Sequence, residues 1–344
     1  MKVGVIGCGG MGTTHYLSLK VLSSQMDVEV VALADCREEF LQKAAAEFPE
    51  ARTYTYGMEL IERENLDAVH ICLPSYLHTE HAVAAMKKGM NVLVEKPVCL
   101  TREEGELLLE TQKETGVKVM VGQVVRAFDE YRYLKEVYDN KTLGKLKSIV
   151  MQRVSGNVRW GFEGWFHDEK KSGSVVLDLH VHDLDFLRYM LGEPDSFQVK
   201  ASRFESGMIN HIITEYEFGD VFATAEGIWD ESSAMKFHAA FRAHFEDATI
   251  EFNGAQSPSL TVYKKDGTVE TPELKAEYEG ESDVAGINVS NLGPYYTEIK
   301  YFQECVREDK PVEVAPLIEG VRSVQLGIKE WNAAKEYVNT HENK

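Results

Sequence analysis
Short apolar, β-branched runs alternate with stretches of helical periodicity through the first third of the chain. The spacing predicts strands over 2–7, 28–34, 67–73, 91–94 and 117–121, and helices over 11–22, 37–48, 77–88 and 102–115, the second of these ended by Pro49. Strands that are apolar along their whole length need cover on both faces, and parallel neighbours need crossover connections. The pattern therefore predicts a doubly wound parallel sheet.

Past Gly122 the alternation stops. Helical periodicity over 130–139 is followed by a strand-like run over 145–154, a helix over 174–191, and period-two runs between 195 and 263 that include 210–218, 221–229 and 235–245. Strands this closely spaced predict antiparallel pairing. Residues 268–291 are polar, rich in Glu, Gly and Ser, and read as a loop. The expected organisation is α/β up to residue 121, then an α+β domain on a largely antiparallel sheet over 122–344.

Composition narrows the partners. A chain of 344 residues, 44% of them hydrophobic, can core two domains without disulfide or metal staples. Lys and Arg number 37 against 56 Asp and Glu, and the net charge of −19 repels a phosphate backbone, which argues against nucleic acid. The five cysteines, Cys8, Cys36, Cys72, Cys99 and Cys305, include no Cys-x-x-Cys pair and read as reduced thiols. The N-terminus lacks the order of a signal peptide and no apolar run approaches about 18 residues, so a cytoplasmic protein without a membrane partner is expected.

The candidate chemistry begins at Gly7, Gly9 and Gly12. Their G-x-G-x-x-G spacing, with Met11 inside it, lies between a strand and a helix, where the first glycine makes a tight turn, the second admits a pyrophosphate and the third lets helix and strand pack. Helix amides then face the anion. Asp35, 23 residues beyond Gly12, is placed to accept from both ribose hydroxyls and to repel a 2′-phosphate. NAD is expected ahead of NADP, although Arg37 could hold such a phosphate if Asp35 turned away. His15 reads as a surface residue of the helix.

Ligands of such a sheet lie beyond its strand ends. There the chain carries Pro74 and His78, then Glu95-Lys96-Pro97, whose lysine could donate to a substrate oxygen and stabilise developing alkoxide charge. In the helix over 174–191, Asp178 and His182 are four apart and share a face, so the carboxylate can orient the imidazole and His182 can act as base. His180 and His182 are two apart and face opposite ways on a helix, which argues against a shared metal ion; no metal is expected.

Taken in order, Gly-x-Gly-x-x-Gly, Asp35, Pro-x-x-x-His, Glu-Lys-Pro, Trp165-Phe166 and Asp178-x-x-x-His182 resemble the family of glucose-fructose oxidoreductase, inositol dehydrogenase and MocA over nearly the whole chain. The resemblance implies a Rossmann domain for NAD(P), with Pro74, His78 and Glu95 at the cofactor, and a second domain for substrate binding and self-association as a homodimer or homotetramer. It implies Lys96, Asp178 and His182 as the catalytic set and a cis bond into Pro97. Family members often carry three glycines where this chain has Ser172-Gly173-Ser174. Tyr295 and Glu298 read as packing of a late helix.

A sugar or polyol is the expected substrate. Arg126, Asn157, Trp160, Trp165 and His167, with Tyr131, supply the aromatic and polar groups that such a ligand needs, while His238 and Asn288 stay undecided. The reading is an NAD-dependent dehydrogenase acting on a secondary alcohol. Its rivals are a retained-NAD enzyme with net glycoside cleavage or epimerisation, a non-catalytic NAD-binding regulator, and a metal-dependent hydrolase built on His180 and His182.

Overall fold
The computed structural model describes residues 1–159, 161–274, 276–278 and 292–341. Its contacts divide into two units: Met1–Ala127 with Ala276–Arg322, and Phe128–Lys275 with Ser323–Lys344. The expected single cut at 121 thus differs in two ways, since the turn Val124–Ala127 stays with the first unit and residues 276–322 return to it. Periodicity reports the type of an element and carries no record of which sheet a late helix covers. Helix Gly293–Arg307 lies against helix Gly10–Leu22, and the Val121 N–H donates to the Ala315 carbonyl at 3.0 Å.

In the first unit, β1 (Lys2–Ile6), β2 (Glu29–Ala34), β3 (Arg52–Tyr54), β4 (Ala68–Ile71), β5 (Asn91–Glu95) and β6 (Val119–Gly122) form one parallel sheet in the order β3-β2-β1-β4-β5-β6. Every residue of β4 and β6 is buried, as the unbroken apolar runs require. Strand order reverses between β1 and β4, which makes their carboxyl ends the place for a ligand. The pattern missed β3 and helix Gly57–Arg63, because a three-residue edge strand with two exposed positions has no apolar run to report.

The second unit holds β7 (Leu146–Ser155), β8 (Ser196–Arg203), β9 (Ile209–Phe218), β10 (Val221–Trp229), β11 (His238–Phe245), β12 (Ala248–Asn253), β13 (Leu260–Lys264) and β14 (Val269–Glu270) in the order β14-β13-β12-β11-β7-β10-β9-β8. Pairing is antiparallel except between β7 and β10. The two-residue β14 lies in the stretch expected to be a loop, and residues 279–291 of that stretch, Asn288 among them, lie outside the described residues. Among the described residues no helix is long and apolar enough to cross a membrane.

Helix Val181–Leu191 packs on β7 and β10, and the core there is organised by Tyr131. Its ring stands edge-on to Phe186, Phe241 and Phe252 at 4.9, 5.1 and 5.6 Å, so this residue belongs to the core rather than to a pocket. Its hydroxyl accepts from Arg153 at 3.1 Å, and Arg153 also donates twice to Asp183, at 2.7 and 3.2 Å. Arg153→Met leaves a buried carboxylate without its counter-charge and is expected to cost about 3–5 kcal/mol in urea unfolding, most of it recovered in the double variant Arg153→Met with Asp183→Leu. An unchanged unfolding midpoint in the single variant would show that the pair does not hold this core.

Candidate active site
Gly7 follows β1 with φ 87°, the left-handed region that glycine adopts without strain. A Cβ on Gly7 would lie 2.5 Å from the Cys72 carbonyl oxygen, and one on Gly12 would lie 1.7 Å from the Gly7 carbonyl oxygen. Both positions therefore require glycine, and the helix Gly10–Leu22 opens with its amides at the end of β1. Met11 is half-buried in its first turn. Gly9 is crowded only by the end of the flexible Arg37 side chain, which would lie 2.7 Å from a Cβ at that position.

Asp35 follows β2 and is 7% exposed. Its carboxylate accepts from the Cys8 N–H at 2.7 Å and the Arg37 N–H at 2.8 Å, which fixes its orientation beside the glycine turn. The Arg37 guanidinium bonds the same carboxylate at 3.3 Å and lies 4.0 Å from the Phe40 ring centre. Burial and the neighbouring Asp35 charge push the Cys8 thiol up to about 12. Cys36, next to Asp35, is exposed.

The ends of β4 and β5 meet through His78. Its Nδ1 is 2.8 Å from the Pro97 carbonyl oxygen and its Nε2 is 2.7 Å from that of Leu73, so one buried ring ties the turn at half-buried Pro74 to the Lys96-Pro97 turn. Burial holds this imidazole below its ordinary pKa, against the pull of the two carbonyls. The Lys96–Pro97 bond is cis, as the resemblance implied, and Lys96 is half-buried. Glu95 is buried; one carboxylate oxygen accepts the Lys96 N–H at 3.3 Å and the other lies 2.9 Å from His15 Nε2. His15 is thus corrected from a surface position to a fully buried one: the helix that the glycines press onto the sheet turns this ring inward, where His70 of β4 meets it Nδ1 to Nδ1 at 2.9 Å.

In the second unit the expected helix over 174–191 is divided. Residues Val176–His180 form a π-helical turn before the α-helix from Val181, a local widening often found where a helix carries chemistry. Ser174 precedes it at φ 60°, a conformation natural to glycine. Asp178 and His182 are half-buried, whereas their neighbours are tied inward. His180 is fully buried with Nε2 2.8 Å from Glu330 and 3.2 Å from the Tyr216 hydroxyl, and Asp185 accepts from Ser323 at 2.7 Å. The described residues gather no group of three or more His, Cys, Asp or Glu fit to hold a metal ion.

The substrate candidates are more scattered. Arg126 is buried in the first unit, where its guanidinium donates to the Val314 carbonyl. Asn157 and Trp165 are half-buried in the second; Asn157 Oδ1 has no hydrogen-bond partner among the described residues, and Trp165 stacks on Phe166 at 3.9 Å. His167 is exposed and its Nε2 is 2.8 Å from the Val158 carbonyl. His238 opens β11 half-buried, and Trp160 lies outside the described residues.

Known proteins share this fold. Residues 1–123 match the family model described as oxidoreductase family, NAD-binding Rossmann fold, and residues 131–270 match the GFO/IDH/MocA C-terminal domain. A myo-inositol 2-dehydrogenase of Thermotoga maritima is 32% identical over 193 residues, a match that spans 56% of this chain and 55% of that protein. The scyllo-inositol 2-dehydrogenase (NAD(+)) of Bacillus subtilis is 25% identical over 97% of this chain and 94% of its own. A levoglucosan dehydrogenase solved with NADH and levoglucosan superposes with a TM-score of 0.83 over 98% of both chains, and at 18% identity that likeness speaks for the fold alone. The chain belongs to the GFO/IDH/MocA family of oxidoreductases.

Proposed function
We propose that this protein is an NAD-dependent oxidoreductase that passes hydride between nicotinamide and a secondary alcohol of a sugar, inositol or related polyol. The observation that carries the reading is the Asp35 carboxylate held beside the Gly7–Gly12 turn by two backbone N–H groups. Held there, it is an acceptor for ribose hydroxyls and a repellent for a 2′-phosphate, and Arg37, bonded to it, is not turned toward such a phosphate. The crowded glycines leave bare backbone for a pyrophosphate, so the residues fit the cofactor.

Bound nicotinamide supplies the hydride acceptor. Lys96 donates from its ammonium to the reacting oxygen and stabilises the charge that develops there. His182 takes the hydroxyl proton at a ring nitrogen and returns it in the reductive direction, and Asp178 orients that ring. Arg126, Asn157, Trp165 and His167 are proposed contacts for the polyol. The cytoplasm is the proposed setting for thiols without a Cys-x-x-Cys pair. Self-association as a homodimer or homotetramer belongs to the same reading, supported by the open sheet face on which Phe222 is 62% and Val150 41% exposed.

The deciding experiment follows absorbance of the reduced nicotinamide while the protein is offered NAD, then NADP, with inositols, hexoses and simple glycosides. A steady rise with NAD and one polyol supports net oxidation; product without that rise favours the retained-cofactor rival, and failure to bind either dinucleotide ends the reading. Asp35→Ala is expected to weaken NAD binding and narrow the preference over NADP, checked by titration with both cofactors. Lys96→Ala and His182→Ala should each lower kcat at least about a hundredfold with NAD affinity nearly kept, and wild-type turnover in either would remove that residue from the chemistry.

Thiol chemistry locates the cofactor without any turnover. At pH 8 the Cys8 thiol, raised to about 12, stays protonated and unreactive, so iodoacetamide should label exposed Cys36 and spare Cys8. Saturating NAD should slow the Cys36 reaction, as read by peptide mass spectrometry. An unaltered rate would place the ribose elsewhere.

A further inference from the structure
A row of buried polar side chains runs through the first unit to the Glu95-Lys96 turn. Gln303 Nε2 lies 2.7 Å from His70 Nε2, His70 Nδ1 lies 2.9 Å from His15 Nδ1, and His15 Nε2 lies 2.9 Å from Glu95 Oε1. Gln303, His70 and His15 are wholly buried, and they come from three different elements: the late helix Gly293–Arg307, the strand β4 and the helix after the glycines. Gly122 of β6 makes room at the far end, where a Cβ would come within 3.0 Å of Glu95 Oε1.

Hydrogen-bond chemistry gives this row one direction. The Gln303 amide N–H donates to His70 Nε2, which places the proton of a neutral His70 ring on Nδ1. That N–H donates to His15 Nδ1, and His15 then donates from Nε2 to the Glu95 carboxylate. Burial holds His70 well below its ordinary pKa, which keeps that ring neutral. Three N–H groups thus point the same way and end on Glu95, whose other oxygen accepts the Lys96 N–H. A merely structural need in the middle of a sheet would be met as well by apolar side chains, which require no partners.

We propose that Gln303, His70 and His15 are positioning residues: a one-way chain of donors that fixes the Glu95 carboxylate and, through it, the turn carrying Lys96. The proposal rests on the reading that Lys96 holds the reacting oxygen. The test joins 15N spectra of the histidine rings in the NAD-loaded wild-type protein to turnover of two variants. The spectra should show His15 as the Nε2–H form and His70 as the Nδ1–H form. His70→Leu, which removes the donor to His15, should lower kcat at least about tenfold while the Kd for NAD stays within about twofold, since a small misplacement of a reacting group is costly. His70→Asn, whose amide can restore an N–H at the Nδ1 position, should recover most of the loss.

His15 found protonated on Nδ1 or on both nitrogens overturns the chain even if the variants fail to fold. Normal kcat in His70→Leu, or a loss that His70→Asn does not mend, overturns the positioning role. Lys96→Ala assayed in parallel separates the two ideas. Undiminished turnover there removes the catalytic reading and the positioning role with it, whereas a loss there beside a normal His70→Leu removes the positioning role alone.

Discussion

The contact between the Gly7 carbonyl and Gly12 is the constraint on which the first unit depends. With 1.7 Å between that oxygen and any Cβ on Gly12, strand and helix can meet only backbone to backbone. The close approach starts the helix directly at the end of β1, so that its free amides face the place where the strand order reverses. It also fixes the rotation of the helix. His15 stands three residues past Gly12, on the face that the contact presses inward, and for that reason a residue type usually found at surfaces reaches Glu95 and His70. One backbone contact thereby sets both the anion-binding end of the helix and the buried partner of the Glu95-Lys96 turn.

The two units place polar groups in their interiors by the same rule. A buried ionisable group costs stability unless its partners are supplied, and three of them are matched within hydrogen-bond distance: Asp183 by Arg153, His180 by Glu330, Glu95 by His15. Near Asp178 and His182 this matching has a consequence for chemistry. The residues between and after them, His180, Asp183 and Asp185, are anchored to the sheet or to the last helix, so the segment cannot rotate without breaking several buried bonds at once. Asp178 and His182 are left half-buried on an anchored segment, the support that the proposed proton transfer at His182 requires.

Periodicity made most of this legible. Uninterrupted apolar runs identified the parallel sheet because burial on both faces leaves no room for alternation, and β8 to β12 followed from their period of two. What stayed hidden has common physical causes. β3 is too short and exposed to leave a pattern, and the return of 276–322 to the first unit depends on long-range packing that no local spacing encodes. The π-helical turn at Val176–His180 differs from an α-helix by one hydrogen-bond step, which the i to i+4 spacing of Asp178 and His182 does not register. Glycines, Asp35 and the Glu95-Lys96-Pro97 tripeptide stood out in the sequence because the proposed chemistry requires those residue types at strand ends. His70 left a readable trace too: a histidine inside the run Ala68–Ile71, otherwise wholly apolar, has to find partners once buried.

Cofactor choice follows from which groups are already committed. Asp35 could make way for a 2′-phosphate only by turning away from the Cys8 and Arg37 amides, and rotation would leave those two donors without their acceptor. Arg37 would have to leave both that carboxylate and the Phe40 ring to meet a 2′-phosphate. On the proposed reading, the cost of accepting NADP is borne by several bonds made before any ligand arrives, and these add to the repulsion between the Asp35 charge and a 2′-phosphate.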